Sequence, residues 1–352
     1  MIDTIFTKIQ SLIRTKGIKK GILAFDLGSY SIKIAEIQII KDVPVLTGFV
    51  QGKTYKNVII NGIINNFHYL VTNVKNILEN LGSFLKIGNI SLPYNLVIFD
   101  SFKTPQLPDE EEIRSKINEE IPYKIEDIYY SYYMVPKENF YQIFYLVAKK
   151  DIIEQYKSLL NELNYQINNI DADFINLHNL IEFLYGKKPK VIIDWGYSKI
   201  KVLFCDVEFP IYSRELSNLG LKNLEKNIIK ELKIDPDTAE SLMVNPNRGK
   251  QYSDLKKVYI NYIKETLDEI DYTIKFVTDK FKISSIETIF LVGGGARIPN
   301  ICEIVKDVLK IETEVLKIEN KIKISDNIDP EYMKIINTQG AIAIAGGLRD
   351  FL

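Results

Sequence analysis

Apolar residues along this chain fall into short runs and into helical spacings, and the two patterns follow one another. Two β-prone runs flank a Gly-Ser turn within residues 22–40, which predicts a strand, a tight turn and a second strand. Residues 65–81 and 253–281 repeat their apolar positions along one helical face, which predicts amphipathic helices. Strands and helices in this arrangement indicate an α/β fold.

The first hairpin pattern is repeated at residues 191–204. When Asp194 is aligned with Asp26 without a gap, Gly196 falls on Gly28, and the apolar and lysine positions beyond the turn also coincide. Internal similarity of this kind predicts two related halves that each begin with the same hairpin. A carboxylate at the end of a buried strand needs a partner or a function. Asp26 and Asp194 are therefore candidate functional residues.

A third loop contains the three consecutive glycines 293–295. It follows the apolar run 289–292, and Pro299 stands at the start of the next predicted helix. Glycines let a ligand approach the backbone closely, but a tightly packed turn needs the same residues. The spacing matches neither the Walker A motif nor the dinucleotide-binding fingerprint. Taken alone, this loop is compatible with both interpretations.

Together, the two hairpins and the glycine loop predict a nucleotide clasp at strand ends. Backbone amides and serines would bind the phosphates, lysines would offset their charge, and the glycine loop would take the nucleoside end. Asp26 and Asp194 would hold a Mg²⁺ ion that keeps several of its waters, and Asp194 is the nearest candidate for a catalytic base. The residues assigned to the clasp are Asp26, Gly28, Ser29, Ser31, Lys33, Asp194, Gly196, Ser198, Lys199, Lys201, Gly293, Gly294 and Gly295.

Residues 96–171 predict a separate unit in the first half. Its order of strand, helix, strand, strand, helix and strand is the ferredoxin-like split pattern. Its strands are rich in aromatic residues, which suits either an extended peptide partner or ordinary packing on the sheet, and the pattern favours neither. These aromatic residues are Tyr129, Tyr130, Tyr132, Tyr133, Tyr141, Phe144 and Tyr145.

Composition narrows the class of protein. The 352 residues carry a net charge of −1, which argues against a general nucleic-acid binder. No apolar run approaches the ~20 residues of a membrane span, and no secretory signal is visible, so we expect a cytoplasmic protein. Residues 1–19 combine an apolar helical face with basic residues. Such a helix either lies on a membrane surface or packs on protein.

The three loops, in this order, resemble the phosphate-1, phosphate-2 and adenosine motifs of the actin-like ATPase superfamily, and residues 337–348 resemble its second connecting motif. The inserted unit is similar to that of the FtsA/PilM-type families, and residues 102–128 and 145–180 resemble PilM-type sequences in particular. The resemblance implies an actin-like ATPase fold of two related halves with an inserted ferredoxin-like subdomain. It divides the chain into an N-terminal helix (1–19), a first core (20–95, 172–190 and 331–352), the insert (96–171), a second core (191–216 and 285–330) and a helical subdomain (217–284).

For function, the resemblance implies a cytoplasmic scaffold of type IV pilus assembly that binds ATP or ADP with Mg²⁺ and is at most a slow ATPase. Its expected partners are the N-terminal tail of a PilN-type inner-membrane protein, through which it would be peripheral at the membrane, cytoplasmic motor ATPases, and itself, without nucleic acid. The resemblance adds four residues to the nucleotide site, which are Tyr30, Tyr197, Glu240 and Arg297.

Two departures from the family pattern put nucleotide affinity in doubt. Leu219-Gly220 stands where the family usually has a Gly-Gly pair, and Met243 stands where a lysine is expected. Two alternatives also remain at this stage, an FtsA-like division protein and an actin-fold small-molecule kinase. The helical region 217–284 offers no clear catalytic aspartate for the kinase.

Overall fold

The computed structural model describes residues 21–207, 209–246, 252–283 and 285–351. In chain order, its strands are β1 (Gly21–Leu27), β2 (Ser31–Ile40), β3 (Val43–Lys53), β4 (Ile59–Ile60), β5 (Ile63–Ile64), β6 (Ile87–Leu92), β7 (Val97–Thr104), β8 (Ile128–Pro136), β9 (Tyr141–Lys149), β10 (Gln166–Ala172), β11 (Lys190–Trp195), β12 (Ile200–Cys205), β13 (Pro210–Leu216), β14 (Thr288–Val292), β15 (Glu312–Val315) and β16 (Lys323–Ile324). Its helices are α1 (Phe67–Leu81), α2 (Glu110–Glu120), α3 (Lys150–Glu162), α4 (Asp173–Tyr185), α5 (Leu221–Leu232), α6 (Pro236–Val244), α7 (Leu255–Phe281), α8 (Ile301–Leu309), α9 (Met333–Gln339) and α10 (Ala341–Leu348).

Two mixed sheets form the body of the molecule, and they share one topology over five strands, to which the first sheet adds β16. The first has the order β10-β6-β1-β2-β3-β16, and the second has the order β13-β12-β11-β14-β15. In each, the first strand of the repeated hairpin pairs antiparallel with its successor and parallel with a later strand, β6 in one sheet and β14 in the other. This equivalence confirms the prediction of two related halves.

Helices α4 and α10 lie between the two sheets. Leu180 and Ile344 from these helices share one apolar core with Ile37 of the first sheet and with Ile192 and Phe290 of the second. The outer face of the first sheet is covered by α1 and α3. The outer face of the second is covered by α5, α7 and α8. Burial on both faces explains why the strands read as nearly continuous apolar runs.

The insert is smaller than the sequence pattern predicted. Its sheet has the order β7-β9-β8, and α2 packs on it through Ile113 and Ile117. The last helix and strand of the predicted β-α-β-β-α-β unit lie elsewhere, because β10 pairs with β6 of the first sheet and α3 buries Tyr156 in that sheet's core. The prediction of a ferredoxin-like sheet over 96–171 is therefore wrong in its last two elements.

The aromatic residues of the insert largely serve packing. Phe144 and Tyr145 are buried, and the ring of Phe144 lies 4.6 Å from that of Phe209 in the second half. Phe99 of the insert packs on Phe174 of the first half at 5.3 Å. The insert therefore contacts both halves of the body.

The predicted N-terminal helix lies outside the described residues. Among the helices that are described, none has both the length and the hydrophobicity of a membrane span.

Candidate functional site

A cleft of about 200 Å³ lies where the two repeated hairpins face each other. It brings together most of the residues predicted for the nucleotide clasp. Those that line the cleft are Asp26, Gly28, Ser29, Tyr30, Ser31, Lys33, Asp194, Gly196, Tyr197, Ser198, Lys199, Lys201, Gly293, Gly294 and Arg297. Gly295 and Glu240 do not line it; Gly295 packs behind the cleft against Trp195, and Glu240 stands at its mouth, bonded to Tyr30.

The hairpin registers place a lysine opposite each strand-end aspartate. Asp26 pairs with Lys33 across β1 and β2, and Asp194 pairs with Lys201 across β11 and β12. Side chains directly opposite on neighbouring strands interact. The Lys33 Nζ lies 3.1 Å from the Asp26 Oδ2, and the Lys201 Nζ lies 3.6 Å from the Asp194 Oδ2. Both carboxylates of the predicted clasp are therefore ion-paired within their own hairpins.

Asp173 is a site residue that sequence reasoning missed. It is the first residue of α4, is only 5% exposed, lines the cleft and forms a short ion pair with Lys201. Its Oδ1 has no hydrogen-bond partner within the described part of the chain. The available signal in the sequence was an aspartate in the first turn of a helix that follows a strand. Such an aspartate is commonly explained by its favourable interaction with the helix dipole alone.

Burial and charge act against each other at this pair. Burial is the largest influence on the Asp173 carboxyl and raises its pKa, although Lys201 opposes that shift. For Lys201, burial lowers the pKa, but the charges of Asp173 and Asp194 outweigh it and raise the pKa above its ordinary value. Lys201 therefore stays protonated, because the two neighbouring carboxylates stabilise its positive charge.

The tips of the two hairpins touch each other across the cleft. Ser29 Oγ and Ser198 Oγ are hydrogen-bonded at 2.7 Å, and the rings of Tyr30 and Tyr197 are 4.5 Å apart. The Tyr30 hydroxyl donates to Glu240 of the second half. Burial first, and then this hydrogen bond, raise the pKa of Tyr30. These contacts hold the two halves together at the mouth of the cleft.

Lys53 adds an ion pair to the same side of the mouth. Its Nζ donates to both carboxylate oxygens of Glu240, at 2.8 and 2.7 Å. Lys53 ends β3 in the first half, so this pair also joins the halves. Because Lys53 is exposed, the pair is worth little by itself. It adds to the tyrosine contact by holding the shared carboxylate in place.

The triple-glycine loop is required by close packing at the end of β11. A Cβ on Gly295 would lie 2.1 Å from the Trp195 ring. Gly293 has a φ of 81°, and a Cβ there would lie 2.7 Å from the Asp194 Oδ1. The Gly293 N–H donates to the Thr338 carbonyl of α9, at 2.9 Å. The loop therefore has a structural role and also leaves the cleft open beside Gly294.

The donor set does not suit a directly bound divalent cation. Mg²⁺ takes carboxylate oxygens, but Asp26 and Asp194 are both paired with lysines. In the described ranges, no three His, Cys, Asp or Glu side chains come together closely enough to hold a metal. The predicted Mg²⁺ ion would therefore reach Asp26 and Asp194 through its own waters, with these lysines in place.

Comparison with known proteins assigns the chain at the family level. A family model described as "Type IV pilus assembly protein PilM" matches residues 24–351. Among curated protein sequences, none matches the chain.

Solved structures establish the fold. A PilM-PilN type IV pilus biogenesis complex matches with a TM-score of 0.80 at 18% identity, over 94% of this chain and 98% of that one. The ethanolamine utilization protein EutJ from Carboxydothermus hydrogenoformans matches with a TM-score of 0.57 at 12% identity, over 94% and 91%. MreB 5 of Spiroplasma citri, bound to AMPPNP, matches with a TM-score of 0.52 at 12% identity, over 94% and 95%. These similarities confirm the predicted actin-like ATPase fold.

Proposed function

The chain belongs to the family of type IV pilus assembly protein PilM, and from that premise we propose that it is a nucleotide-binding scaffold that docks the cytoplasmic tail of a PilN-type membrane protein. A role in type IV pilus assembly follows from the family. The family match favours this role over the FtsA-like and kinase alternatives. We further propose that the protein works at the cytoplasmic face of the inner membrane, where its partner would hold it.

Nucleotide binding is supported above all by two facing copies of one hairpin. Each copy ends a buried strand with an aspartate, turns at a glycine and presents a serine to the cleft. Backbone N–H groups at such turns favour anions. The structurally similar MreB 5 was solved with AMPPNP and with ADP. We therefore propose ATP or ADP as the ligand, with its phosphates between the hairpins.

We expect the protein to hydrolyse ATP slowly or not at all. Asp194 is the candidate base, but its Oδ2 already faces the protonated Lys201 at 3.6 Å. A general base needs hydrogen-bond reach to the proton that it removes. Asp173, which is buried, is also paired with Lys201. We propose that nucleotide sets the arrangement of the two halves and is not consumed rapidly.

The partner tail is proposed to dock between the insert and the first half. A second cavity of about 570 Å³ lies at this junction, lined by Pro122, Tyr123, Lys124, Asp127, Lys149, Lys150 and Asp151. Tyr123, which lines the cavity, is 37% exposed, and Tyr129 is 47% exposed. Lys149 lies 4.4 Å from the Tyr123 ring centre, and Lys150 lies 5.5 Å from that of Tyr129. Contacts with motor ATPases and self-association stay predictions.

The nucleotide proposal is tested by calorimetry of the purified full chain with ATP and ADP. Gly28→Val is the informative variant, because a Cβ there already lies 2.7 Å from the Ser31 carbonyl. We expect the variant to lose measurable binding. Gly82→Ala is the control, since a Cβ at Gly82 meets nothing within 4 Å. Absence of binding by the unmodified protein would refute the proposal.

The docking proposal is tested with a synthetic peptide of the N-terminal cytoplasmic tail of a PilN-type protein from the same organism. We expect direct binding by fluorescence anisotropy, and a loss of at least about tenfold in affinity for the double variant Tyr123→Ala, Tyr129→Ala. Tyr272→Ala is the matched control, because Tyr272 is 63% exposed on α7 of the second half. Equal effects of the two changes would place the peptide elsewhere.

A further inference from the structure

Exposed apolar side chains lie at the edge of the first sheet where β1 begins. Phe84, in the loop between α1 and β6, is 97% exposed. Ile40 ends β2 and is 47% exposed, and Val43, its partner at the start of β3, is 45% exposed. Paired residues on neighbouring strands point to the same face of a sheet. We call Ile40, Val43 and Phe84 the apolar shelf.

The shelf surrounds the point where the chain enters the sheet at Gly21. A Cβ on Gly21 would lie 3.0 Å from both Gln38 Cγ and Leu85 Cδ1, so these two side chains meet on one face. Ile40 is two residues beyond Gln38 in β2 and shares that face, at roughly 8 Å from Gly21 by strand geometry. Phe84 directly precedes Leu85. Grouped apolar side chains of this kind mark a contact surface.

Helix α1 covers this face of the sheet but ends before the shelf. Its last residue, Leu81, lies over Gly48, where a Cβ would be 2.7 Å from the Leu81 Cδ1. Gly48 is paired with Glu36, and Ile40 is four residues farther along β2, which corresponds to about 13 Å. The end of the face is therefore left without the helical cover that the rest receives.

The N-terminal segment, residues 1–20, lies outside the described residues and joins the sheet at this point. The apolar positions of its predicted helix fall on one face. They are Ile2, Ile5, Phe6, Ile9, Leu12 and Ile13. Gly17 is a residue type that commonly follows a helix end, which leaves the connector 17–20 before Gly21. A connector of this length spans at most about 14 Å, so the helix could reach the shelf.

Charge also suits this occupant. The last turn of α1 has no basic residue and contains Glu79. Cations near a helix C-terminus are stabilised by the helix dipole. Arg14 and Lys16 come just before the connector, so docking would bring them to this end of α1. Lys86, at the same edge, has its Nζ 4.6 Å from the centre of the Tyr165 ring.

We propose that residues 2–16 dock on the apolar shelf as an amphipathic helix and complete the layer that α1 begins. The occupant is this chain's own segment, because the connector holds it beside the shelf at high effective concentration. Docking removes two apolar faces from water at once, whereas binding to a lipid surface would bury only that of the segment. The inference does not depend on nucleotide or on the partner tail.

The experiment is hydrogen–deuterium exchange of the full chain, read by mass spectrometry, with a synthetic peptide of residues 1–20 as the reference. We expect the amides of residues 5–16 to exchange at least about tenfold more slowly in the protein than in the peptide. The double variant Ile40→Asp, Phe84→Asp should remove this protection, because it places two charges on the shelf.

Ile260→Asp, Val308→Asp is the matched control, since these side chains are 54% and 53% exposed on α7 and α8 of the second half. It should leave the protection unchanged. If the shelf variant does not fold, Ile9→Asp asks the same question from the segment and leaves the sheet intact. Thermal midpoints of all variants report folding separately from docking.

Four outcomes would overturn the inference. The first is exchange as fast in the unmodified protein as in the peptide, and the second is protection that survives the shelf variant. Protection that appears only with vesicles of phosphatidylglycerol would assign the segment to a membrane surface. Protection that rises with protein concentration would assign it to a second copy of the chain.

Discussion

We expect Gly220→Ala to destabilise the second half, because the added methyl group would clash with neighbouring backbone atoms. Gly220 stands just before α5 with a φ of −63°, which alanine adopts freely. A Cβ there would lie 2.4 Å from the Lys199 nitrogen and the Tyr197 carbonyl oxygen, and 2.5 Å from the Ser198 carbonyl carbon. All three atoms belong to the backbone of the second hairpin. The helix or the hairpin must therefore move by about 1 Å to reach ordinary contact distance.

Overpacking of a well-packed site costs typically 1–3 kcal/mol, and we expect about 3 kcal/mol here because backbone lies on both sides of the contact. Urea unfolding followed by circular dichroism measures the free energy of unfolding. Gly82→Ala is the control, since Gly82 has a φ of 62° and open space around it. We expect it to lose about 1 kcal/mol from left-handed backbone strain. The steric reasoning fails if Gly220→Ala loses no more than Gly82→Ala.

Three further changes examine other contacts. Tyr262→Phe removes a buried hydroxyl that accepts a hydrogen bond from Trp195 Nε1 at 2.7 Å and donates one to the Leu219 carbonyl. Because both of these buried groups lose their partner, we expect the free energy of unfolding in urea to fall by about 3 kcal/mol. A fall below about 1 kcal/mol would contradict this. Tyr30→Phe removes the hydrogen bond to Glu240 across the cleft and should speed release of a fluorescent nucleotide about fivefold, whereas an unchanged rate would show that the tyrosine contact does not retain ligand. Burial raises the pKa of Cys205 to about 12, so its thiol should resist alkylation at pH 8 until the protein unfolds, and rapid labelling of the native protein, read by mass spectrometry, would refute this.

Much of the architecture could be predicted from local pattern. The two hairpins and the long helix α7 follow from the spacing of apolar residues, because each depends on neighbours close in the chain. The internal repeat also predicted that the halves would share a topology. The insert shows where this reasoning ends. The apolar spacing of α3 and β10 is the same whether they pack on the insert or on the first sheet, so pattern could not choose between the two.

The candidate site divides in the same way. Glycine turns and strand-end carboxylates are local features, and those at Asp26 and Asp194 are recognisable in the sequence. Asp173 was not, because its role depends on Lys201, which belongs to the other half of the molecule. The contact between Ser29 and Ser198 joins residues 169 positions apart. Contacts of this kind depend on how two sheets pack, and no short stretch of sequence records that.

Local sequence therefore specified the parts of the cleft, since strand, turn and cross-strand partner are determined by residues within a few positions of one another. The tertiary structure decided which charges meet. It brought Lys201 between Asp173 and Asp194 and closed the two hairpin tips on each other. Charge balance at a site is a property of groups assembled from distant segments, and here it places two lysines among the three carboxylates of the cleft.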